Sequence, residues 1–229
     1  MDDDAFDRAL IGAAFSQAAA LGWRQVTVVG AAREAGLPLA RARERFPGRS
    51  GLLLRFGRIA DQAALAELAG EGSVRDRLFD LIMRRIDVLQ AHRIGVLALL
   101  RALPFEPPTA VLLACATKRS LRWLGQSAGV DLGGLRGEVK LRGLLAVWLW
   151  TLRAWERDET TDLSGTMAAL DAALNRAEQA VRWLHGRASP KPQGQPPSEP
   201  DPEPPPPPVT PPNDPPTASL PLSQENPLP

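Results

Sequence analysis

The chain has 229 residues, a formal net charge of +1 and 44% hydrophobic side chains, enough for one helical domain with a sizeable core. A single cysteine, Cys115, excludes an internal disulfide, and its place in the apolar run 111–116 predicts a buried thiol. Asp2, Asp3 and Asp4 stand where a secretory signal needs basic residues, so a cytoplasmic location is the default, and no segment reads as a stable membrane span.

In chain order, the pattern predicts an opening helix from Ala5 to Leu21, broken at Gly22-Trp23, and a second helix starting at Thr27. That helix stops at Gly36, the residue type best suited to the left-handed conformation just past a helix end. Pro38 opens a short third helix, since proline fits a first helical position where its missing N–H costs nothing. Phe46-Pro47 leads into a fourth helix carrying Leu52, Leu53 and Leu54. Ser73 caps a fifth, with Asp76 three residues on to favour its N-terminal dipole. Further helices run from about His92 to Leu103, from Thr109 to about Ala128 and from Leu135 to Arg157. Asp162 or Thr161 caps the last, in which Leu163, Met167, Leu170, Leu174, Ala177, Val181 and Leu184 alternate by four and three as in helix–helix packing. No segment alternates with period two, so the fold is all-α.

From Pro190 to Pro229 the chain holds 18 of its 23 prolines, which reads as a disordered spacer of polyproline II character. The expected organisation is a helix-turn-helix domain at 1–60, a helical domain at 61–187 and a proline-rich tail at 188–229.

Two short helices joined at a glycine are the outline of a helix-turn-helix. At about 100° per residue, Leu39, Ala42 and Phe46 share the packed face of the short helix, while Arg41 and Arg45 point outward and Arg43 flanks the buried side. Seven arginines (33, 41, 43, 45, 49, 55 and 58) stand against Glu34 and Glu44 in this stretch, the local basic excess that a phosphate-facing surface requires.

Residues 5–60 resemble the N-terminal domain of TetR-type regulators, through the Gly22-Trp23 break, Thr27, Ala32, Ala35-Gly36, Phe46-Pro47 and Leu52-Leu53-Leu54. The resemblance implies a TetR-like fold and a ligand-responsive, dimeric regulator of a palindromic operator. Thr27, Arg41, Arg43, Arg45 and Arg49 would then contact DNA, with Arg41 and Arg45 at base edges and Arg43 and Arg49 on phosphates. The departures are Arg43 in place of an aromatic residue, Arg49-Ser50 in place of a serine–lysine pair, a turn without a hydroxyl, and Glu44 on the outward face.

Residues 73–184 are similar in feature order to the Coq-nine-type lipid-binding proteins of ubiquinone biosynthesis. The matching parts are Ser73-Val74-Arg75-Asp76-Arg77, the turn at Leu89 to His92, and the link Asp158-Glu159-Thr160-Thr161-Asp162. That resemblance implies an isoprenoid ligand and a helix-turn-helix that is a relic. The arginines favour the regulator; the missing turn hydroxyl and aromatic residue, and Glu44, favour the relic.

Either reading needs an apolar pocket, for which the candidates are Phe79, Met83, Leu97, Leu100, Leu113, Trp123, Leu145 and Trp148. With only His92, Thr117 and Thr151 as inner polar groups, the pocket suits an apolar or aromatic small molecule or an isoprenoid lipid. The helix around Leu144–Leu152 is apolar all round and needs cover on every side. The TetR resemblance supplies it as a homodimer through the last two helices, with Leu152, Trp155, Met167, Leu170, Leu174 and Val181 at the interface. His92 and His185 lie far apart, and no phosphate loop, dinucleotide fingerprint or metal-ligand spacing occurs, so no enzyme activity, metal or cofactor is expected. The cluster Asp158-Glu159…Asp162 reads as capping.

Overall fold

A computed structural model describes residues 1–66 and 72–188, with side chains to residue 182 of the last helix. The proline-rich tail lies outside the described residues. Those described form nine α-helices and two 3-10 turns, with no strand among them. The helices are α1 (Asp3–Leu21), α2 (Val28–Glu34), α3 (Leu39–Arg45), α4 (Arg49–Ala66), α5 (Val74–Gln90), α6 (Arg93–Ala102), α7 (Pro107–Ser127), α8 (Gly134–Arg157) and α9 (Ser164–Ala188). The 3-10 turns are Trp23–Gln25 and Leu103–Phe105.

The capping chemistry sets these boundaries. Asp2 accepts from the Ala5 N–H at 2.6 Å to start α1, and Thr27 accepts from the Gly30 N–H at 3.0 Å to start α2. Gly36 adopts φ 63°, which lets the chain reverse between α2 and α3 at no side-chain cost. Pro38 sits just before α3 rather than inside it, while Pro107 opens α7. Ser73 and Asp76 form a reciprocal capping box at α5.

Helix α4 belongs to both halves of the molecule. Leu52, Leu53 and Phe56 enter the core of the head with Phe6, Leu10, Phe15, Trp23 and Phe46. Further along, α4 packs against α5 and α7, where Ala64 meets Leu81, Leu124 and Ala128. One apolar cluster therefore runs from the head into the bundle, through Ile82, Ile86, Val96 and Leu99 to Trp148, Trp155 and Leu170. Residues 1–189 form a single compact unit. Helix α1 lies against α6 with Gly95 at the contact, where an added Cβ would stand 2.8 Å from Phe15 Cβ.

Cys115 is exposed rather than buried, because the run 111–116 turns its middle outward from α7. Among the described residues, no single helix is long and apolar enough to cross a membrane.

Candidate nucleic-acid interface

The head builds a complete helix-turn-helix. Ala31 and Ala32 of α2 and Ala42 of α3 are buried, and small side chains at these three positions let the two short helices approach closely. What α3 leaves to solvent is Leu39, Ala40, Arg43 and Glu44. Thr27, exposed beside its capping bond, stands at the edge of the same surface. A depression of about 290 Å³ lies between α2, α3 and the turn at Phe46–Gly48, with Thr27, Val29, Leu39, Arg43 and Arg49 on its walls.

The outward orientation expected of Arg41 and Arg45 is corrected. Both guanidiniums turn onto α1. Arg41 pairs with Asp3 at 2.5 Å, donates to the Met1 carbonyl at 3.2 Å and lies over the Phe6 ring at 4.5 Å. Arg45 makes a forked contact with both oxygens of Asp7, at 2.8 and 2.9 Å, and reaches Asp3 at 2.7 Å. Arg55 of α4 closes the network on Asp7 at 2.7 Å and Asp4 at 2.5 Å. The cause is a matched ladder: Asp3 and Asp7 lie one turn apart on α1, facing Arg41 and Arg45 one turn apart on α3. Asp2–Asp4 informed the sequence reading only on secretion; the i, i+4 spacing of Asp3 and Asp7 was the signal that could have found these pairs.

The two rungs differ. Asp3 is 62% exposed, whereas Asp7 is 1% exposed. Burial pushes the Asp7 carboxyl up, but the hydrogen bonds and charges of Arg45 and Arg55 outweigh it and hold the group below its ordinary value. The Arg45 guanidinium is held charged more strongly than usual, chiefly by its hydrogen bond to Asp7.

Arg49 is also engaged within the chain. It donates to the carbonyls of Trp23 and Arg24 at 3.3 and 3.2 Å and pairs with Glu106 at 2.9 Å, tying the start of α4 to the segment before α7. Arg43 stays exposed, with one contact to the Pro47 carbonyl at 2.9 Å.

The other expected residues separate by helix. Phe79, Met83, Leu97, Leu100, Leu113 and Leu145 are half-buried against the central core. Trp148 is buried under the Arg85 guanidinium, 4.9 Å from its ring. Trp123 is corrected to the surface, at 64% exposure, because α7 turns its Leu121 and Leu124 face inward. The depressions of about 290 and 690 Å³ on this molecule include none of these eight residues in their walls. His92 stacks on Phe15 at 5.3 Å and meets Phe56 edge-on at 5.7 Å, and Thr151 donates to the Val147 carbonyl at 2.9 Å, so both are occupied in the core.

Of the expected interface, Trp155, Leu170 and Leu174 are buried within the protomer. Trp155 donates from Nε1 to Gln90 at 2.8 Å and lies under Arg93 at 4.8 Å. The alternating stripe of α9 is used by α8 of the same chain, which leaves Leu152, Met167 and Val181 half-buried beside it. The face that α8 leaves uncovered carries Leu149 and Trp150 instead.

No group of three or more potential metal ligands occurs among the described residues. No family model and no curated protein matches the sequence. The fold does match solved structures. A TetR transcriptional regulator from Nitrosomonas europaea ATCC 19718 superposes with TM-score 0.63 at 22% identity, over 77% of this chain and 99% of that one. A putative TetR-family regulator from Rhodococcus sp. gives TM-score 0.54 at 17% identity, over 75% and 97%. A TetR-family regulator from Streptomyces coelicolor gives 0.52 at 18%, over 79% and 91%. The helix order, the two-helix head on α4 and these superpositions together establish that the chain has the TetR-type fold.

Proposed function

We propose that the protein is a DNA-binding transcriptional regulator in which the free face of α3 meets DNA. The observation that carries this reading is the intact α2–Gly36–α3 unit, whose outer side is used by no other part of the described chain. Arg43, exposed and held by one carbonyl, is the cation available to a phosphate or a guanine edge, with Thr27 beside it. Arg41 follows as a second contact, because an exposed, solvent-screened pair with Asp3 exchanges readily for a phosphate. Arg45 is a positioning residue: moving it would strip a partner from buried Asp7. Arg49 is placed to hold the start of α4 rather than DNA.

A homodimer covering Leu149 and Trp150 would present two reading heads to a palindromic operator. An apolar small molecule entering the bundle between the half-buried side chains of α5 to α8 would shift the spacing of those heads. A cytoplasmic location accompanies this function.

Fluorescence anisotropy of the full chain against fragments flanking its own gene, across a salt series, tests the proposal. Binding to one fragment well above random DNA at physiological salt is expected, with Arg43→Ala weakening it about 10-fold or more. Unchanged affinity in Arg43→Ala refutes the assignment.

A second reading, a lipid-binding accessory protein of the ubiquinone pathway with a relic head, is favoured by one observation. Leu39, Ala40 and Glu44 flank Arg43, so the free face of α3 carries as many acids as bases. Weak, sequence-blind DNA binding together with a co-purifying isoprenoid lipid would select it.

A further inference from the structure

A second depression, of about 690 Å³, lies between the C-terminal end of α1 and that of α6. Its alanine-lined floor includes Ala98, and two large apolar side chains, Leu21 and Phe105, are 65% and 73% exposed at its edges. Arg24 and Arg101 also line it, and no acidic side chain does. Arg41, Arg45, Arg49 and Arg55 of the head pair with carboxylates, whereas no ion pair or hydrogen bond engages the Arg24 and Arg101 guanidiniums among the described residues. Two such cations beside the exposed apolar side chains of Leu21 and Phe105, without an acid to neutralise them, form a surface complementary to one kind of solute.

We propose that this groove binds an amphiphilic anion: a carboxylate carrying an apolar chain or ring. The head bridges Arg24 and Arg101, and the apolar body lies along the alanine floor between Leu21 and Phe105.

The groove is also tied to the head. One wall is the Trp23–Gln25 turn and the other ends at Phe105, adjacent to Glu106. Arg49, the first residue of α4, grips both walls through the Trp23 and Arg24 carbonyls and the Glu106 carboxylate. A ligand that draws the walls together or spreads them acts on the residue that follows the α3 turn. Binding itself is independent of DNA recognition; its effect on α3 rests on the regulator reading.

Isothermal titration of the full chain with decanoate, below its aggregation concentration, tests the site. Saturable binding is expected with a Kd on the order of 100 µM, given the small size of the probe. Arg24→Ala/Arg101→Ala should weaken it about 10-fold or more, whereas Arg24→Lys/Arg101→Lys, which keeps the charge, should retain most of it. Decyltrimethylammonium, with the same chain and the opposite charge, should not bind. Absence of saturable binding overturns the proposal. So does unchanged affinity in the alanine variant, which would place decanoate in the bundle, or equal loss in the lysine and alanine variants. Because the readout is heat of binding, failure of the protein to bind DNA leaves this test intact.

Discussion

Asp61, Arg85 and Ser120 join α4, α5 and α7 at the level where the head becomes the bundle. Arg85 contacts both Asp61 and Ser120, and the Ser120 hydroxyl donates to Asp61 at 2.5 Å. The Arg85 side chain is 7% exposed and its Nε has no partner, whereas Asp61 keeps 21% of its surface. Burial pushes the Arg85 guanidinium below its ordinary value and the Asp61 charge opposes that shift. The two ends of the pair should therefore respond unequally to deletion. Asp61→Ala leaves a buried cation with one neutral acceptor and is expected to cost about 3–5 kcal/mol, a large part of a domain's usual 5–15 kcal/mol. Arg85→Met keeps the volume over Trp148, removes the desolvated charge and leaves Asp61 in reach of water and Ser120. It should cost about 1 kcal/mol or less. The double variant should fall near Arg85→Met, giving a coupling of about 3–5 kcal/mol, the full Asp61→Ala cost. Urea unfolding of the full chain, followed by far-UV circular dichroism at unchanged m-value, reads all three. An Asp61→Ala cost within 1 kcal/mol of wild type, or an Arg85→Met cost equal to it, refutes the reasoning.

Asp158 accepts four hydrogen bonds, from the N–H and hydroxyl of Thr160 at 3.1 and 2.6 Å and of Thr166 at 2.6 and 2.7 Å. The Thr160 hydroxyl and then Thr166 pull its carboxyl down to about 2. Its stabilisation is therefore fully present above pH 4 and lost as pH falls through about 2. Asp158→Asn strands the buried Thr166 N–H against an amide donor and should cost about 2 kcal/mol at neutral pH while flattening the acid limb of the stability curve. His92, half-buried between Phe15 and Phe56, is pushed below 6.5 by burial, so it destabilises the fold as pH drops below that value; His92→Phe should remove the slope between pH 6.5 and 5 in thermal melts. Gly95→Ala would drive a methyl into Phe15 across the α1–α6 contact and should cost about 2 kcal/mol or more by urea unfolding, whereas the control Gly57→Ala on α4, where a Cβ meets nothing, should stabilise by about 0.5–1 kcal/mol.

Local chemistry made most of the fold legible. Caps and breakers act over three or four residues, so Thr27, Gly36, Ser73 and Asp162 could be read as boundaries before any tertiary contact was known. The period of α9 predicted a packed stripe and the structure supplies one. The stripe's partner was not legible. Leu170 and Leu174 fit a neighbouring helix equally well from the same chain or from a second copy, and periodicity carries no information on which. Trp123 and Cys115 failed for a related reason: α7 is rich enough in apolar residues on all sides that its buried face is set by α8 and α4, not by its own moment.

The helix-turn-helix shows the limit most sharply. A helical wheel places Arg41 and Arg45 off the packed face, and that placement is correct as far as it goes. A wheel describes one helix; the destination of a side chain as long as arginine's depends on what stands within its reach. Here Asp3 and Asp7 lie within reach at the same spacing, 38 residues away in sequence, and a guanidinium facing a fork of carboxylate oxygens in a half-buried seam takes them. The consequence bears on function directly. Counting arginines gives the head a strong excess of positive charge, but Asp3, Asp4, Asp7 and Glu106 neutralise the contributions of Arg41, Arg45, Arg55 and Arg49. The field that a phosphate backbone meets at α3 is set by Arg43 against Glu44, with Arg41 drawn in only by exchange from exposed Asp3. On the proposed regulator function, specific DNA binding has to come from shape and a few contacts rather than from bulk charge. Its salt dependence should accordingly be shallow, corresponding to about two cations per head, Arg43 and Arg41, rather than the four arginines that the sequence assigns to DNA.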